Sequence, residues 1–211
     1  MEDASRNQRG LRAIFRLETW RLVTGLFCIL CMAFWGCQPG QQVSDDGRDL
    51  TLEKEPLPIG GDFTLTDHNG MPFRLVDQNR PVLLFFGYTT CPDFCPQTLA
   101  RLAQVYFELG ESDLLTVFVS VDPGRDTPEN LKMYLSHFDM PAVGLTGGEA
   151  AVNKVVEQYA GFYERRDEAS AAGYLIDHSL YIYAVDRTGG VRFLLRSTDS
   201  VKNILKVVRQ L

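Results

Sequence analysis

Hydrophobic positions fall into short blocks that alternate between strand-like and helix-like spacing. Residues 82–86 (VLLFF) and 114–121 (LLTVFVSV) are continuous apolar runs, which is the pattern of strands buried on both faces of a sheet. Residues 128–138 and 149–159 carry apolar side chains every three or four positions, as amphipathic helices do. A further helix is predicted over 97–109, because the proline before it suits the first helical position. The centre of the chain therefore predicts strands that alternate with helices.

Short apolar segments on both sides of this centre predict the rest of the sheet. Residues 142–146 favour another strand, and an Asn-Gly pair between 63–66 and 72–75 indicates a hairpin. A second hairpin is predicted over 180–195, and Asp199-Ser200 precedes a final helix with one apolar face. The predicted fold class is α/β: a mixed sheet flanked by helices, in a thioredoxin-like order with an extra N-terminal β-hairpin. The polar segment 161–173 is predicted to be mobile.

The first 37 residues differ from the remainder in pattern and charge. Five arginines precede an apolar run over residues 22–35, which at 14 residues is shorter than the ~20 that a spanning helix needs. These are the charged and apolar regions of a secretory signal. The run ends before Cys37, and this ending resembles the bacterial lipoprotein signal, in which the cysteine becomes lipidated; Phe34 and Trp35 depart from it. An uncleaved N-terminal membrane anchor is the alternative, and both predict an extracytoplasmic, membrane-anchored protein, on the periplasmic side of a bacterium.

Composition divides the chain into three parts. Residues 1–37 are the predicted signal peptide or anchor, 38–58 a flexible linker rich in Gln, Gly, Asp and Pro, and 59–211 the folded domain. The linker would span roughly 25 Å, so the domain could reach a partner in the same membrane. The formal net charge is −6 although the first 37 residues are basic, so the domain is acidic and nucleic-acid binding is not expected.

Cys91 and Cys95 are the only cysteines after residue 37, and each is followed by proline. This predicts a turn at the carboxyl end of the 82–86 strand that presents exposed, reactive thiols. The start of the next helix is expected to lower the pKa of Cys95. A structural pair is the alternative without chemistry. A thioredoxin-type oxidoreductase would have Cys-x-x-Cys, and a thiol peroxidase would have threonine where Tyr88 and Pro92 stand.

A metal site remains as a further interpretation of the pair. Two thiolates on one turn can bind one ion, and soft sulfur ligands select Cu(I), with Zn(II) next. A third ligand is then expected, and His178 has the most suggestive position, because YLIDHS precedes a predicted strand. By position alone a single histidine is more often structural. His68 is predicted to be a solvated turn residue, and His137 a cation near a helix end.

Four segments together resemble the SCO/SenC family. They are GYTTCPDFCP at 87–96, SVDPGRDTP at 120–128, GLTG at 144–147 and DHS at 177–179, within a match over about 58–211. The resemblance implies that Cys91, Cys95 and His178 bind one copper ion, as Cu(I) or Cu(II).

The same resemblance implies a function. It is that of a membrane-tethered, extracytoplasmic copper metallochaperone, which delivers copper to the CuA centre of cytochrome c oxidase subunit II or to another copper or thiol partner protein. The alternative is a thiol–disulfide oxidoreductase that uses Cys91 and Cys95 as its redox pair, so the resemblance leaves open whether the protein is an enzyme. A third alternative is a copper-sensing or redox-sensing protein with no delivery role.

Three charged residues of the second segment are not obvious copper ligands. Asp122, Arg125 and Asp126 are expected to cap the next helix and to brace their loop by ion pairs. The alternative is that they form a docking surface for the partner.

Overall fold

Two strands that are buried along their whole length form the centre of the fold. The computed structural model describes residues 48–53, 55–167 and 173–211. Every residue of β3 (Val82–Gly87) and of β4 (Leu115–Ser120) is buried, and the two strands pair in parallel. Since both faces are covered, their apolar residues run without alternation. The chain between them contains α1 (Phe94–Leu109), which completes a βαβ unit.

Five further strands join β3 and β4 in the main sheet: β1 (Thr64–Asp67), β2 (Pro72–Arg74), β5 (Ala142–Thr146), β8 (Tyr181–Val185) and β9 (Val191–Arg196). The seven strands lie in the order β2-β1-β5-β4-β3-β8-β9. Parallel pairing joins β3, β4 and β5, and every other pair in this sheet is antiparallel. The predicted fold class is confirmed, because this is a mixed sheet with helices beside it and an N-terminal hairpin at one edge.

Three further helices follow the predicted positions. They are α2 (Pro128–Leu135), α3 (Glu149–Gln158) and α4 (Val201–Val208). Side chains cap two of them, since Thr127 accepts the N–H of Asn130 and Ser200 accepts that of Asn203. α1 packs against α4, and α2 packs against β5.

α1 begins three residues before its predicted start, so Cys95 lies in its first turn rather than in the loop before it. Pro96 tolerates this position, because the first turn of a helix has no acceptor for its missing N–H.

A second, two-stranded sheet carries the predicted histidine ligand. It consists of β6 (Tyr163–Arg166) and β7 (Leu175–His178), which pair antiparallel. β6 lies inside the segment that was predicted to be mobile, so that prediction is wrong for these four residues. Their sequence, YERR, is mostly charged and exposed, and therefore gives no alternating apolar signal.

The described part of the predicted linker packs on the folded body. Leu50 is 1% exposed, the N–H of Leu57 donates to the carbonyl of Val191 at 2.7 Å, and Arg48 forms an ion pair with Asp199. The predicted signal or anchor segment, Cys37 and the first part of the linker lie outside the described residues. In the ranges that the structure does describe, no helix combines the length and apolarity that crossing a membrane would require.

Candidate metal centre

The structure brings together the two cysteines and the histidine that the sequence singles out. One possible ligand atom from each of Cys91, Cys95 and His178 lies within 4.8 Å of the other two. The Cys95 Sγ and the His178 Nε2 are 3.6 Å apart. Three different elements supply these residues: the loop after β3, the first turn of α1 and the end of β7. Both cysteines are free thiols.

Cys95 lies in a space that the absence of a side chain at Gly87 provides. The Cys95 side chain is 1% exposed, and a Cβ atom at Gly87 would lie 2.6 Å from its Sγ and 2.7 Å from the Phe118 ring. Cys91 is 8% exposed. The prediction of exposed thiols is therefore wrong, because the Cys95 sulfur packs back against β3 instead of pointing out of the turn.

The pKa values of the two thiols are shifted in opposite directions. The pKa of Cys91 is lowered, chiefly because its sulfur accepts a hydrogen bond from Cys95, with smaller contributions from the N–H groups of Asp93 and Cys95; burial opposes them. The pKa of Cys95 is raised by the same hydrogen bond and by burial. The expectation that the helix start lowers the pKa of Cys95 is wrong, and Cys91 is the residue that favours the thiolate. A metal ion that binds both sulfurs must therefore displace a proton from Cys95.

The orientation of the His178 ring makes Nε2 available to an ion. Its Nδ1 lies 3.0 Å from the carbonyl oxygen of Ser179. Because a carbonyl can only accept, Nδ1 carries the proton, and Nε2 of the neutral ring keeps a lone pair. The Tyr88 ring packs edge-on against the imidazole, with 5.8 Å between the ring centroids. His178 is thus held in the tautomer that a metal ligand needs.

A groove gives access to this cluster from solvent. Its volume is about 570 Å³, and Cys91, Asp93, Asp177 and His178 contribute to its walls. Phe94 and Phe162, at its rim, are 44% and 59% exposed. An ion or another protein could reach Cys91 and His178 from this side, whereas Cys95 lies deeper.

The charged residues of the loop after β4 lie beside the cluster. Asp122 and Arg125 form the expected ion pair. Asp126 does not cap α2, since Thr127 does so; its carboxylate instead accepts the hydroxyl and N–H of Thr89, two residues before Cys91.

Tyr88 contacts His178 of the cluster, and Tyr174 contacts Asp122 of this loop. Neither tyrosine has a role in the sequence-based prediction. The only sequence signal for Tyr88 is its place between a buried strand and the cysteines.

The other two histidines lie elsewhere. His68 lies in the predicted turn but is half-buried rather than fully solvated: its Nδ1 accepts the N–H of Gly144 at 3.1 Å, and burial lowers its pKa. The Nδ1 of His137 lies 3.1 Å from the carbonyl oxygen of Tyr134. Among the described histidines, only His178 joins the cysteines in a cluster that could hold a metal.

The donor set fits a soft metal ion. Two sulfurs and one imidazole nitrogen are suited to Cu(I). Cu(II) or Zn(II) would need further ligands to fill its remaining coordination positions. The assignment of Cys91, Cys95 and His178 as ligands stays a prediction that this geometry makes chemically reasonable.

Comparison with known proteins identifies the family. The SCO1/SenC family model matches residues 52–211. A SCO2-like protein of Rickettsia felis is 37% identical over 164 residues, 76% of this chain and 80% of the relative. The mitochondrial SCO2 protein of Saccharomyces cerevisiae is 38% identical over 178 residues, covering 78% of this chain and 59% of the relative.

Solved structures show the same fold. The copper-bound ScoI of Bradyrhizobium japonicum is 35% identical, with a TM-score of 0.65 over 72% of this chain and 99% of that one. The copper-bound ScoI of Arabidopsis thaliana is 30% identical, with a TM-score of 0.67 over 72% and 97%. BsSco, described as a member of the Sco family of cytochrome c oxidase assembly proteins, is 20% identical, with a TM-score of 0.60 over 74% and 95%, and shows the fold alone. The chain belongs to the SCO1/SenC family.

Proposed function

We propose that this protein is a copper metallochaperone that binds one copper ion through Cys91, Cys95 and His178. The observation that carries the proposal is the convergence of three ligand atoms from distant parts of the chain within 4.8 Å. Relatives with copper bound at 30% and 35% identity support copper rather than zinc as the ion. Copper is the cargo in this proposal, and the groove beside Cys91 is its route of entry and release.

Transfer to another protein is the second part of the proposal. The acceptor is the CuA centre of cytochrome c oxidase subunit II, and an N-terminal tether keeps the protein at the extracytoplasmic face of the same membrane. Cys91, which lines the groove, and the rim of the groove suit a ligand exchange in which a partner's thiolate replaces one ligand at a time. Because Cys95 is more deeply buried, we expect its sulfur to leave the ion last.

Copper titration of the reduced protein tests the binding step. We expect one equivalent of copper to bind, with sulfur-to-copper charge-transfer absorption that is lost in Cys91→Ser. His178→Ala should weaken copper binding strongly, whereas His137→Ala, which changes a histidine outside the cluster, should leave the affinity unchanged. An unchanged affinity in His178→Ala would show that the ligand assignment is wrong.

Mixing experiments test delivery. The copper-loaded protein is incubated with the metal-free CuA domain of subunit II, and the visible spectrum of the acceptor is recorded. Delivery predicts that copper leaves this protein and that the CuA spectrum appears. If a strain that lacks the protein assembles normal oxidase but loses a response to copper or redox conditions, a sensor role replaces delivery.

A thiol–disulfide oxidoreductase is the second candidate function. The placement of the two sulfurs favours it, because Cys91 lines the groove, where it can attack a partner's disulfide, while Cys95 lies behind it, where it can resolve the mixed disulfide. The two functions are separated by His178→Ala: disulfide exchange should largely survive the substitution, while copper binding should not. Reduction of the acceptor's cysteines by the wild-type protein without copper would support the second function.

A further inference from the structure

The loop between β4 and α2 contacts the two segments that carry the cysteines and the histidine of the cluster. On the cysteine side the contact is made by Asp126, which is fully buried. One of its carboxylate oxygens accepts the Thr89 hydroxyl at 2.6 Å, and the other accepts the Thr89 N–H at 3.0 Å and the Ser120 hydroxyl at 2.6 Å. Thr89 begins the turn that leads to Cys91, so Asp126 fixes the start of this turn.

On the histidine side the same loop binds Tyr174. The Tyr174 hydroxyl donates to Asp122 at 2.7 Å, and Arg125 Nη1 donates to the Tyr174 carbonyl at 3.2 Å. The Arg125 guanidinium lies 3.6 Å from the centroid of the Tyr174 ring, and that of Arg165, from β6, lies at 3.9 Å. The ion pair with Asp122 orients Arg125 for these contacts. Tyr174 is therefore bound through its hydroxyl, its ring and its backbone.

The β6–β7 hairpin, which carries His178, depends on contacts with other parts of the protein, such as those of Tyr174. β6 and β7 form their own sheet and share no ladder with the main sheet, and an isolated two-stranded hairpin is at best marginally stable. Tyr174 immediately precedes β7, and His178 is the last residue of this four-residue strand, about 13 Å along at ~3.3 Å per residue. Between them, the Tyr88 hydroxyl accepts the N–H of Ile176 at 3.2 Å. A strand held at its start and middle presents its last residue at a fixed position.

We propose that residues 122–126 act as a positioning loop, which sets the distance between His178 and the two cysteines. Asp126 holds the cysteine turn, while Asp122 and Arg125 hold the β6–β7 hairpin through Tyr174. The carboxylates of Asp122 and Asp126 and the Nε and Nη1 of Arg125 are bonded inside the protein, which favours internal positioning over partner docking as their role. This inference rests on the proposed copper-binding function, since it assigns residues that act through His178.

A double-mutant cycle on copper affinity tests the positioning loop. Tyr174→Ala removes the ring and the hydroxyl, and we expect roughly tenfold weaker copper binding, as for other residues that orient a metal ligand. Tyr174→Phe keeps the ring contacts and should have a smaller effect. In a His178→Ala background, Tyr174→Ala should cause no further loss, because its effect passes through the His178 ring. An equal loss with and without His178 would overturn the proposal.

Amide hydrogen exchange provides a readout that does not involve copper. In the reduced, metal-free protein, Tyr174→Phe should accelerate exchange at the β7 amides, including Ile176, while amides of β3 and β4 stay protected. Tyr163→Phe is the matched control, because it removes a hydroxyl on the same hairpin whose partner is Asn153, outside the positioning loop.

The control also separates the two levels of the proposal. If Tyr163→Phe changes β7 exchange and copper affinity as much as Tyr174→Phe does, the effect is one of general hairpin stability and the positioning loop is refuted. If the wild-type protein binds no copper, the proposed function fails, and faster β7 exchange in Tyr174→Phe alone would still support the structural part of the inference.

Discussion

Gly87 is the residue on which the position of the Cys95 sulfur depends. A Cβ atom at this position would lie 2.6 Å from the sulfur and 2.7 Å from the Phe118 ring. Neither neighbour can move easily, since Cys95 is fixed in the first turn of α1 and Phe118 is fully buried in β4. We therefore predict that Gly87→Ala displaces the sulfur and weakens copper binding, and that it destabilises the fold by about 1–3 kcal/mol. Copper titration and urea unfolding measure the two effects.

Gly144→Ala is a matched control for this substitution. A Cβ atom at Gly144 would meet Leu135 at 2.9 Å and Leu131 at 3.0 Å, a clash of similar severity in the core between β5 and α2. Its expected result is a similar loss of stability with unchanged copper affinity. If both variants lose copper affinity equally, the effect reflects general destabilisation and Gly87 has no special relation to the sulfur.

His68 makes folding dependent on pH. Its pKa is lowered from the ordinary value of 6.5, first by burial, and protonation of Nδ1 would also break the bond from Gly144. Because the unfolded chain then binds the proton more tightly, the contribution of His68 to stability is present above pH 6.5 and is lost as the pH falls below it. We predict that His68→Gln removes a small part of the destabilisation seen between about pH 7.5 and about pH 5.5. Urea midpoints at the two pH values measure it, and an identical pH dependence in the variant would contradict this assignment.

Single residues differ in how far the sequence could predict them. The spacing of Cys91 and Cys95 was sufficient to select the two thiols, whereas His178 was assigned as their partner only through the resemblance to the SCO/SenC family. Their protonation was predicted for the wrong cysteine, because a helix start is visible in a sequence whereas the hydrogen bond between the two sulfurs is not. The bond from Gly144 to His68 joins residues 76 positions apart and has no local signal either.

The β6–β7 hairpin is the element that depends most on contacts outside itself. Tyr88 is 2% exposed, and its hydroxyl accepts the N–H of Ile176, whose side chain is also buried. Tyr88→Phe leaves this buried N–H without an acceptor, which should cost about 1–3 kcal/mol. We expect a lower urea midpoint and faster hydrogen exchange at Ile176. Tyr181→Phe, at a position 47% exposed, is the control and should change stability by less than about 0.5 kcal/mol.

Elements were predictable where their pattern of burial is simple. β3 and β4 are covered on both faces, so a continuous apolar run was enough to predict them. β6 was missed, because its residues are mostly exposed and it is a strand only by pairing with β7. The start of α1 was misplaced by three residues, since proline is compatible with several positions in a first turn.

At the scale of the whole molecule, the segment before β1 contributes to stability. Leu50 is almost fully buried, and the side chain of Gln210, after α4, donates to its carbonyl at 2.9 Å. We predict that Leu50→Ala destabilises the protein by about 2–5 kcal/mol, as for other buried leucines, and that a domain beginning at residue 59 is less stable still. Thermal or urea unfolding measures both effects. Thr51→Ala, at an exposed position, serves as control. A domain from residue 59 with undiminished stability would instead support the boundary expected from the sequence.

The sequence by itself determined the kind of fold and the chemistry of the donors. The fold follows from apolar periodicity, which reflects burial, and the two sulfurs suit a soft ion, whereas the imidazole was assigned through the family resemblance. The tertiary structure alone decided whether the donors meet, because His178 lies 83 positions from Cys95 and reaches it on a separate small sheet. It also decided how deeply the two sulfurs are buried and which of them favours the thiolate. The contacts of the positioning loop with the cysteine turn and with the β6–β7 hairpin likewise depend on the tertiary structure. These depend on distances between atoms that are far apart in the chain, and a linear pattern does not contain such distances.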